Sequence, residues 1–314
     1  MERHLFLTGQ TELHGSLVAL NSMQARLRGQ KATGLIEVKV GTSRQIVIVY
    51  ANGVQVGTYL LENDKSRSFN LTELSVLWGG APFSVSSVTL PDRAGRAVWL
   101  ILESRLHERA EVNNEQDWNQ LLARWKQEGF NGAAELTSKT VQGFIVLQMG
   151  QVVETETVFF SGNGFESAPP PNVGVYGAWQ VATYAASPLS GAWKCLNLRE
   201  SAIRWASRAL DRYREIAGYK FLQVTSREIK EIIRPWEWKI EIANASITDD
   251  HFFAGLEAAA HAYRALLMGL GTQMSFVVGS ALTQRILNEV YEDLEADQRS
   301  ALGAHRLIPA AFSF

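Results

Sequence analysis

Apolar and polar positions follow one pattern in two stretches of this chain that begin about one hundred residues apart. The first stretch is residues 33–57, and the second is residues 131–154. The aligned pairs are Gly34 with Gly132, Glu37 with Glu135 and Gly53 with Gly150. A pattern that recurs at this distance indicates that a folding unit was duplicated.

In the first copy, the spacing of apolar residues predicts both helices and strands. Leu17, Leu20 and Met23 recur at helical spacing, whereas residues 36–61 contain alternating and β-branched runs that are typical of strands. Ala51-Asn52-Gly53 supplies a tight turn between two antiparallel strands. The predicted elements are a helix over 17–27, three strands over 36–61, a helix from 68, a strand over 82–88 and a helix over 96–107.

The second copy repeats this order of elements. Trp118, Leu121 and Trp125 share one face of a predicted helix that begins at 117. Three consecutive prolines at 169–171 interrupt the copy where the first has a plain connection. The remaining predicted elements are strands over 133–136, 143–149 and 151–160, and a closing helix over 201–213.

From about Ala217 the pattern changes and helical spacing dominates. Residues 236–242 alternate apolar and charged side chains, which predicts one half-buried strand. Thr248 and the two aspartates after it are typical of a helix start, because the hydroxyl caps free amides and carboxylates favour the positive end of the helix dipole. We predict one helix from 248 to about 270 and another over 277–294.

These elements predict an α+β fold of three domains. Two related modules of antiparallel sheet with flanking helices occupy 1–112 and 113–214, and a mostly helical domain with one or two strands occupies 215–314. The chain has 314 residues, which suits this division because single cores stop growing near roughly 250 residues.

Composition and charge narrow the class of function. The formal charge is -2, with 30 Lys and Arg against 32 Asp and Glu, so nothing favours a nucleic acid or an anionic membrane as partner. Cys195 is the only cysteine, which excludes an intramolecular disulfide and suits a reducing compartment. No apolar run approaches the roughly 20 residues of a membrane span, and the N-terminus does not read as a signal peptide. We expect a cytoplasmic protein without a transmembrane segment.

Three short motifs resemble a bacterial domain family. They are Gly34-Leu35-Ile36-Glu37, the apolar strand from Ile46 to Gly53, and Trp78-Gly79-Gly80-Ala81-Pro82-Phe83 ahead of a helix. With both copies counted, about two thirds of the chain resembles tandem PATAN-type domains of bacterial signalling proteins, which often lie beside response-regulator receivers. The resemblance implies protein-interaction modules with links to pilus-based motility and regulation. It carries over no catalytic residue, and it leaves the helix-rich C-terminal domain unrecognised.

One constellation suggests metal or acid-base chemistry. Asp250, Glu257 and His261 stand at i, i+7 and i+11, which would place them on one helical face. Such a face can bind a divalent metal when another helix completes the coordination shell, and otherwise it is a solvated or salt-bridged surface. The chain contains neither a phosphate-binding glycine loop nor a nucleophile elbow. We expect no catalytic residue and no cofactor.

Two groups of residues are candidates for contacting a partner. Arg204, Arg208 and Arg212 recur every four residues and form a basic stripe, which either docks an acidic partner or phosphate or pairs with Glu200 or Glu215. Trp236 and Trp238 lie on one strand face, where they either anchor the core of the last domain or form part of an interface. The list of binding candidates is Arg204, Arg208, Arg212, Trp236 and Trp238.

The sequence therefore predicts a non-enzymatic protein-protein interaction or regulatory protein of bacterial signalling or surface motility. Two alternatives stay open. One is a metal-dependent or hydrolytic enzyme centred on the C-terminal domain, and the other is a sensor that binds a small ligand between the repeats. The partner is expected to be a protein, no nucleic acid is expected, and self-association into a homo-oligomer stays open.

Overall fold

The chain divides into two compact units, Met1–Trp193 and Lys194–Phe314. The first unit contains two antiparallel sheets, and the second is mostly helical with a two-stranded sheet, so the predicted α+β class is confirmed. The computed structural model describes residues 11–14, 16–41, 44–62, 65–74, 83–161, 164–166, 176–234, 237–243 and 245–312.

The first unit opens with an antiparallel sheet, here called sheet A. Its strands are β1 (Thr11–His14), β2 (Gly34–Val40), β3 (Arg44–Ala51), β4 (Val54–Glu62), β5 (Lys65–Ser68) and β6 (Phe83–Thr89). Their order is β1-β6-β2-β3-β4-β5, and every neighbouring pair is antiparallel. Helix α1 (Leu17–Gly29) starts where the Ser16 hydroxyl accepts the amide of Ala19, and it packs on one face of the sheet.

Sheet B repeats this arrangement. Its strands are β7 (Arg105–Val112), β8 (Gly132–Thr137), β9 (Val141–Gln148), β10 (Gln151–Val152), β11 (Val158–Ser161), β12 (Gly164–Glu166) and β13 (Trp179–Ala185). The order is β12-β11-β9-β8-β13-β7, and β10 pairs with β9. When this order is read from β7, it matches sheet A read from β1, with β7 in the place of β1, β13 in that of β6, β8 in that of β2 and β9 in that of β3. Helix α3 (Glu115–Glu128) packs on one face through Trp118, Leu121 and Trp125. The two copies therefore share strand order as well as sequence.

The helix predicted over 96–107 to close the first copy starts and ends four residues earlier. Helix α2 spans Asp92–Glu103, and residues 105–112 form β7 of sheet B rather than the last turns of a helix. Leu102 and Leu106 mimic helical spacing, but β7 alternates exposed and half-buried side chains with the period of a strand. The end of the predicted first domain, 105–112, thus belongs to the second sheet, while the division at 112 and 214 itself stays a prediction.

Helix α2 lies between the two sheets. It contacts β3 and β5 of sheet A and also β8, β9 and the 3-10 turn Glu154–Glu156 on the side of sheet B. Nine of its twelve residues are buried, because elements of both sheets cover it. Strand β3 of sheet A is accordingly buried on both faces, since Val47 and Val49 are as inaccessible as Ile48 between them.

The glycines that the two copies share have a steric role. A Cβ at Gly34 would overlap the carbonyl oxygen of Val88, and a Cβ at Gly132 would overlap the carbonyl oxygen of Tyr184. In both copies the neighbouring strand approaches too closely for any side chain. The turn glycines, Gly53 at φ 82° and Gly150 at φ 71°, adopt a backbone conformation that other residues rarely reach. The two copies therefore share glycine at positions where the backbone geometry admits no other residue without strain.

The second unit is a helical domain with one hairpin. Its elements are α4 (Gly191–Ala217), which begins in the first unit, α5 (Tyr219–Ile233), β14 (Ile240–Ala243), β15 (Ser246–Asp249), α6 (Leu256–Val278), α7 (Ser280–Glu292), α8 (Ala296–Ala304) and a 3-10 turn at Pro309–Ala311. Its core contains the fully buried Trp205, Tyr213 and Tyr263. The Trp205 indole donates to the carbonyl of Leu287 at 3.1 Å.

Two predictions for this region are wrong in position. The strand expected over 236–242 is β14, which starts at Ile240, and Trp236 lies outside the described residues. The helix expected from Thr248 starts at Leu256, because Thr248 belongs to β15 and the Asp249 carboxylate is buried instead of capping a helix. Helix α4 is longer than the helix predicted over 201–213, and the helix predicted over 277–294 starts after a break at Gly279.

The steric role of the shared glycines can be tested by adding one methyl group. We expect Gly34→Ala and Gly132→Ala each to lower the free energy of unfolding by about 1–3 kcal/mol, because the added Cβ forces two strands apart. Gly29→Ala is the matched control, since a Cβ there meets nothing within 4 Å and alanine favours the helix. Urea denaturation measures all three, and equal stability of the strand variants and the control would refute the steric explanation.

Candidate functional site

Polar side chains inside the first unit form a network around Glu103, at the end of α2. Tyr59 donates its hydroxyl to Glu103 Oε1 at 2.8 Å, and the Trp99 indole donates to Tyr59 at 2.8 Å. On the other oxygen, Oε2, Glu103 accepts the Ser190 hydroxyl at 2.7 Å and the Ala192 amide at 2.9 Å. Burial, and after it the Glu103 charge, raise the pKa of Tyr59 above its ordinary value, so the phenol stays a donor. This network joins the end of α2 to residues 190–192, within the first unit.

A buried ion pair joins the two copies. Arg96 on α2 donates two parallel hydrogen bonds to Glu156, from Nε at 2.8 Å and from Nη2 at 2.9 Å. The Glu156 side chain is 0% exposed and that of Arg96 is 11% exposed, so water screens the attraction between the two charges only weakly. Glu156 lies in the 3-10 turn of the second copy, which no sequence signal singled out. The two charges hold α2 in register against the second copy.

A second buried polar cluster lies in the helical unit. Asp249 accepts the Tyr263 hydroxyl at 2.5 Å and the His251 amide at 2.8 Å, and its Oδ2 lies 3.6 Å from Arg199 Nε. The Arg199 guanidinium also donates to the Asp249 carbonyl oxygen. All of Asp249, Arg199 and Tyr263 are at least 96% buried. The cluster links α4, β15 and α6, and its geometry is that of a structural clamp.

The predicted metal candidates are not brought onto one face. Glu257 and His261 lie on α6 and are exposed, whereas Asp250 precedes the helix in the segment after β15. The premise of a shared helical face is therefore wrong for Asp250. Within the described residues, no group of three or more His, Cys, Asp or Glu side chains is arranged to hold a metal ion.

The predicted basic stripe is exposed on α4, but it is partly neutralised. Arg212 pairs with Glu215 at 3.0 Å, and the hydrogen bond and charge of Glu215 raise the pKa of Arg212. Arg208 donates to the carbonyl of Asp293 at 3.3 Å, at the end of α7. Arg204, one turn earlier, is also exposed. The predicted pair between Arg212 and Glu215 is therefore present, and docking of a partner by the stripe stays a prediction.

Of the two tryptophans predicted to share a strand face, Trp238 is described. It is half-buried, and its ring packs edge-on against Phe253 with centroids 5.8 Å apart. Phe253 in turn packs against Tyr263 at 5.6 Å. Trp238 therefore borders the core of the helical unit.

Large apolar side chains are exposed where α4 ends and α5 begins. We call these four residues, Ile216, Tyr219, Phe221 and Val224, the α4–α5 corner. They are exposed by 53%, 52%, 49% and 49% respectively. The core of the unit is instead lined by other residues of α5, among them Leu222, Ile229 and Ile233. The corner therefore carries apolar area beyond what the core of the unit uses.

Sequence reasoning missed this corner although a signal was present. Residues 219–224 contain four large apolar side chains in six positions, more than one helical face can bury. From its pattern alone, the segment fits either a strand or the end of a helix. Once helix α5 is known, its surplus of apolar residues marks an exposed patch.

Comparisons with known proteins give no relative. No family model, curated protein or solved structure matches the chain. Among the helices that the structure describes, none has the length and apolar character to cross a bilayer. The case for a function therefore rests on the exposed and buried side chains themselves.

The ion pair between the copies gives a prediction about stability. Arg96→Ala should lower the free energy of unfolding by about 3–5 kcal/mol, because it removes an opposite charge and two hydrogen bonds from the buried Glu156 carboxylate. The double variant Arg96→Met with Glu156→Met should recover most of this loss, since neither charge remains. Arg44→Ala is the control, because the Arg44–Glu62 pair is 48% and 35% exposed and should contribute below about 1 kcal/mol. Denaturant titration of the four proteins measures the differences, and an equal loss for Arg96→Ala and Arg44→Ala would contradict the prediction.

Proposed function

We propose that this chain is a non-enzymatic interaction protein of bacterial signalling or surface motility, acting in the cytoplasm. In this proposal, tandem PATAN-type modules form the first unit, and the helical unit presents a docking surface to a protein partner. The observation that carries the proposal is the α4–α5 corner with its four exposed apolar side chains. The resemblance in the repeated motifs supports the signalling context.

Exposed apolar area in this arrangement favours a partner. Burying one large apolar side chain stabilises a complex by about 1.5–3 kcal/mol, so clustered side chains that are half exposed offer free energy that folding has not used. Aromatic residues such as Tyr219 and Phe221 are also enriched at the centres of protein interfaces. A protein partner that covers the corner would bury all four side chains, and each burial would add to the free energy of binding.

The interior of the first unit supports a structural role for its polar groups. Helix α2 occupies the space between the two sheets, where the small-ligand alternative would place its site. The half-buried carboxylate of Glu103 and the buried carboxylate of Glu156 accept hydrogen bonds from groups of the protein. The geometry therefore favours a rigid scaffold over a ligand cleft or a reaction centre.

The proposal is tested by isolating the partner. A tagged chain purified from the native organism should retain a protein in fixed stoichiometry, and the two purified proteins should re-form the complex. Assays with generic ester, phosphate and nucleotide substrates serve as the counter-test. Turnover that is lost when one buried polar residue is substituted would show an enzyme and overturn the proposal.

A further inference from the structure

The charges around the α4–α5 corner show what kind of surface it can meet. Each carboxylate of the flanking helical turns is engaged by an arginine of its own helix. The pairs are Arg214 with Asp211 at 2.5 Å, Arg212 with Glu215 at 3.0 Å and Arg227 with Glu228 at 3.1 Å. The rim therefore carries both signs of charge in local pairs.

Lys220 stands apart from these pairs. It lies in the first turn of α5, which contains no acidic residue, and the helix starts at Gly218 without a side-chain cap. A cation at the positive end of a helix dipole is locally unfavourable, and the amides of the first turn lack acceptors within the helix. Residues 211–228 contain four cations and three anions, which leaves a net charge of +1 at the centre of the apolar patch.

We propose that the α4–α5 corner binds an apolar peptide segment of a partner protein that presents a carboxylate to Lys220. This inference rests on the proposed function and adds the chemistry of the partner. The apolar side chains of the segment cover Phe221 and Val224, which stand one turn apart on α5. Its carboxylate compensates the Lys220 cation at the start of the same helix.

The rim argues against a membrane as the occupant. Interfacial helices carry lysine and arginine along their polar face, and anionic lipid attracts that excess of positive charge. Here Glu215 and Glu228 stand beside the apolar side chains, and a lipid surface would repel them. A protein partner can instead place opposite charges next to each of these groups.

The positive charge of Lys220 argues against a second copy of the chain as the occupant of the corner. A two-fold contact brings identical patches together, so the corner of one protomer would face the corner of the other. Two Lys220 ammonium groups would then approach each other next to two positive helix ends. An acidic and apolar segment meets neither obstacle.

The test uses the full chain and a phage library of random peptides as the probe. We expect enriched peptides to combine at least two large apolar residues with Asp or Glu. Synthetic copies of these peptides should bind about tenfold or more weakly to the Phe221→Ser, Val224→Ser double variant. Lys220→Glu should lower the affinity of acidic peptides to a similar degree. The same variant should bind more tightly those peptides in which lysine replaces the acidic residue.

A matched control separates the corner from exposed apolar area in general. Leu189, in the first unit, is 83% exposed, and Leu189→Ser should leave peptide affinity unchanged. All substituted side chains are exposed, so thermal unfolding of each variant should match that of the original chain. Peptides that show no preference for acids, or that bind the double variant with unchanged affinity, would overturn the proposal, as would a library without enrichment.

The other occupants are outcomes of the same experiment. Co-sedimentation with phosphatidylserine vesicles that the double variant abolishes would assign the corner to a membrane and overturn the proposal. A dimer that sedimentation velocity detects, and that the double variant dissociates, would assign it to a second copy. If the partner isolated from the native organism still binds the double variant, the corner proposal fails while the proposed function stands. If no partner exists, both fail.

Discussion

The burial of α2 between two sheets is the constraint on which the first unit depends. An antiparallel sheet with one covered face can leave its other face in water, but Val47 and Val49 in sheet A are buried on the second face. The helix that covers them is itself buried at nine of its twelve positions, so it needs the second sheet as much as the first sheet needs it. Apolar packing is not directional, so it does not fix the position of the helix along its axis. The two hydrogen bonds from Arg96 to Glu156 fix that position.

Much of this arrangement could be predicted from the sequence because the same signals occur twice. The spacing of Trp118, Leu121 and Trp125 predicts α3, and the turn at Asn52-Gly53 predicts the hairpin of β3 and β4. The alignment of Gly34 with Gly132 predicts that glycine has the same role in both copies, and the neighbouring backbone indeed leaves no room for a side chain at either position. Whether the family resemblance behind the motifs is right stays a prediction, and Trp78 to Pro82 lie outside the described residues.

The parts that could not be predicted depend on contacts between residues far apart in the chain. Asp249 has the local signature of a helix start, yet Tyr263 and Arg199 draw its carboxylate into the core. Local spacing cannot report this, since Arg199 precedes Asp249 by fifty positions. The exposed corner was missed for another reason, because an apolar pattern predicts burial and only the structure shows which side chains remain accessible. The candidate site is therefore a product of tertiary structure more than of motif.

Ser104 is the one residue between α2 and β7, and its hydroxyl donates to the carbonyl of Leu100. The end of a helix that packs against the first sheet is thus joined almost directly to an outer strand of the second. A cut near this point would strip the first copy of the sheet that covers its central helix and expose that helix to water. The two repeats therefore form a single cooperative unit, in agreement with the one compact body that Met1–Trp193 makes.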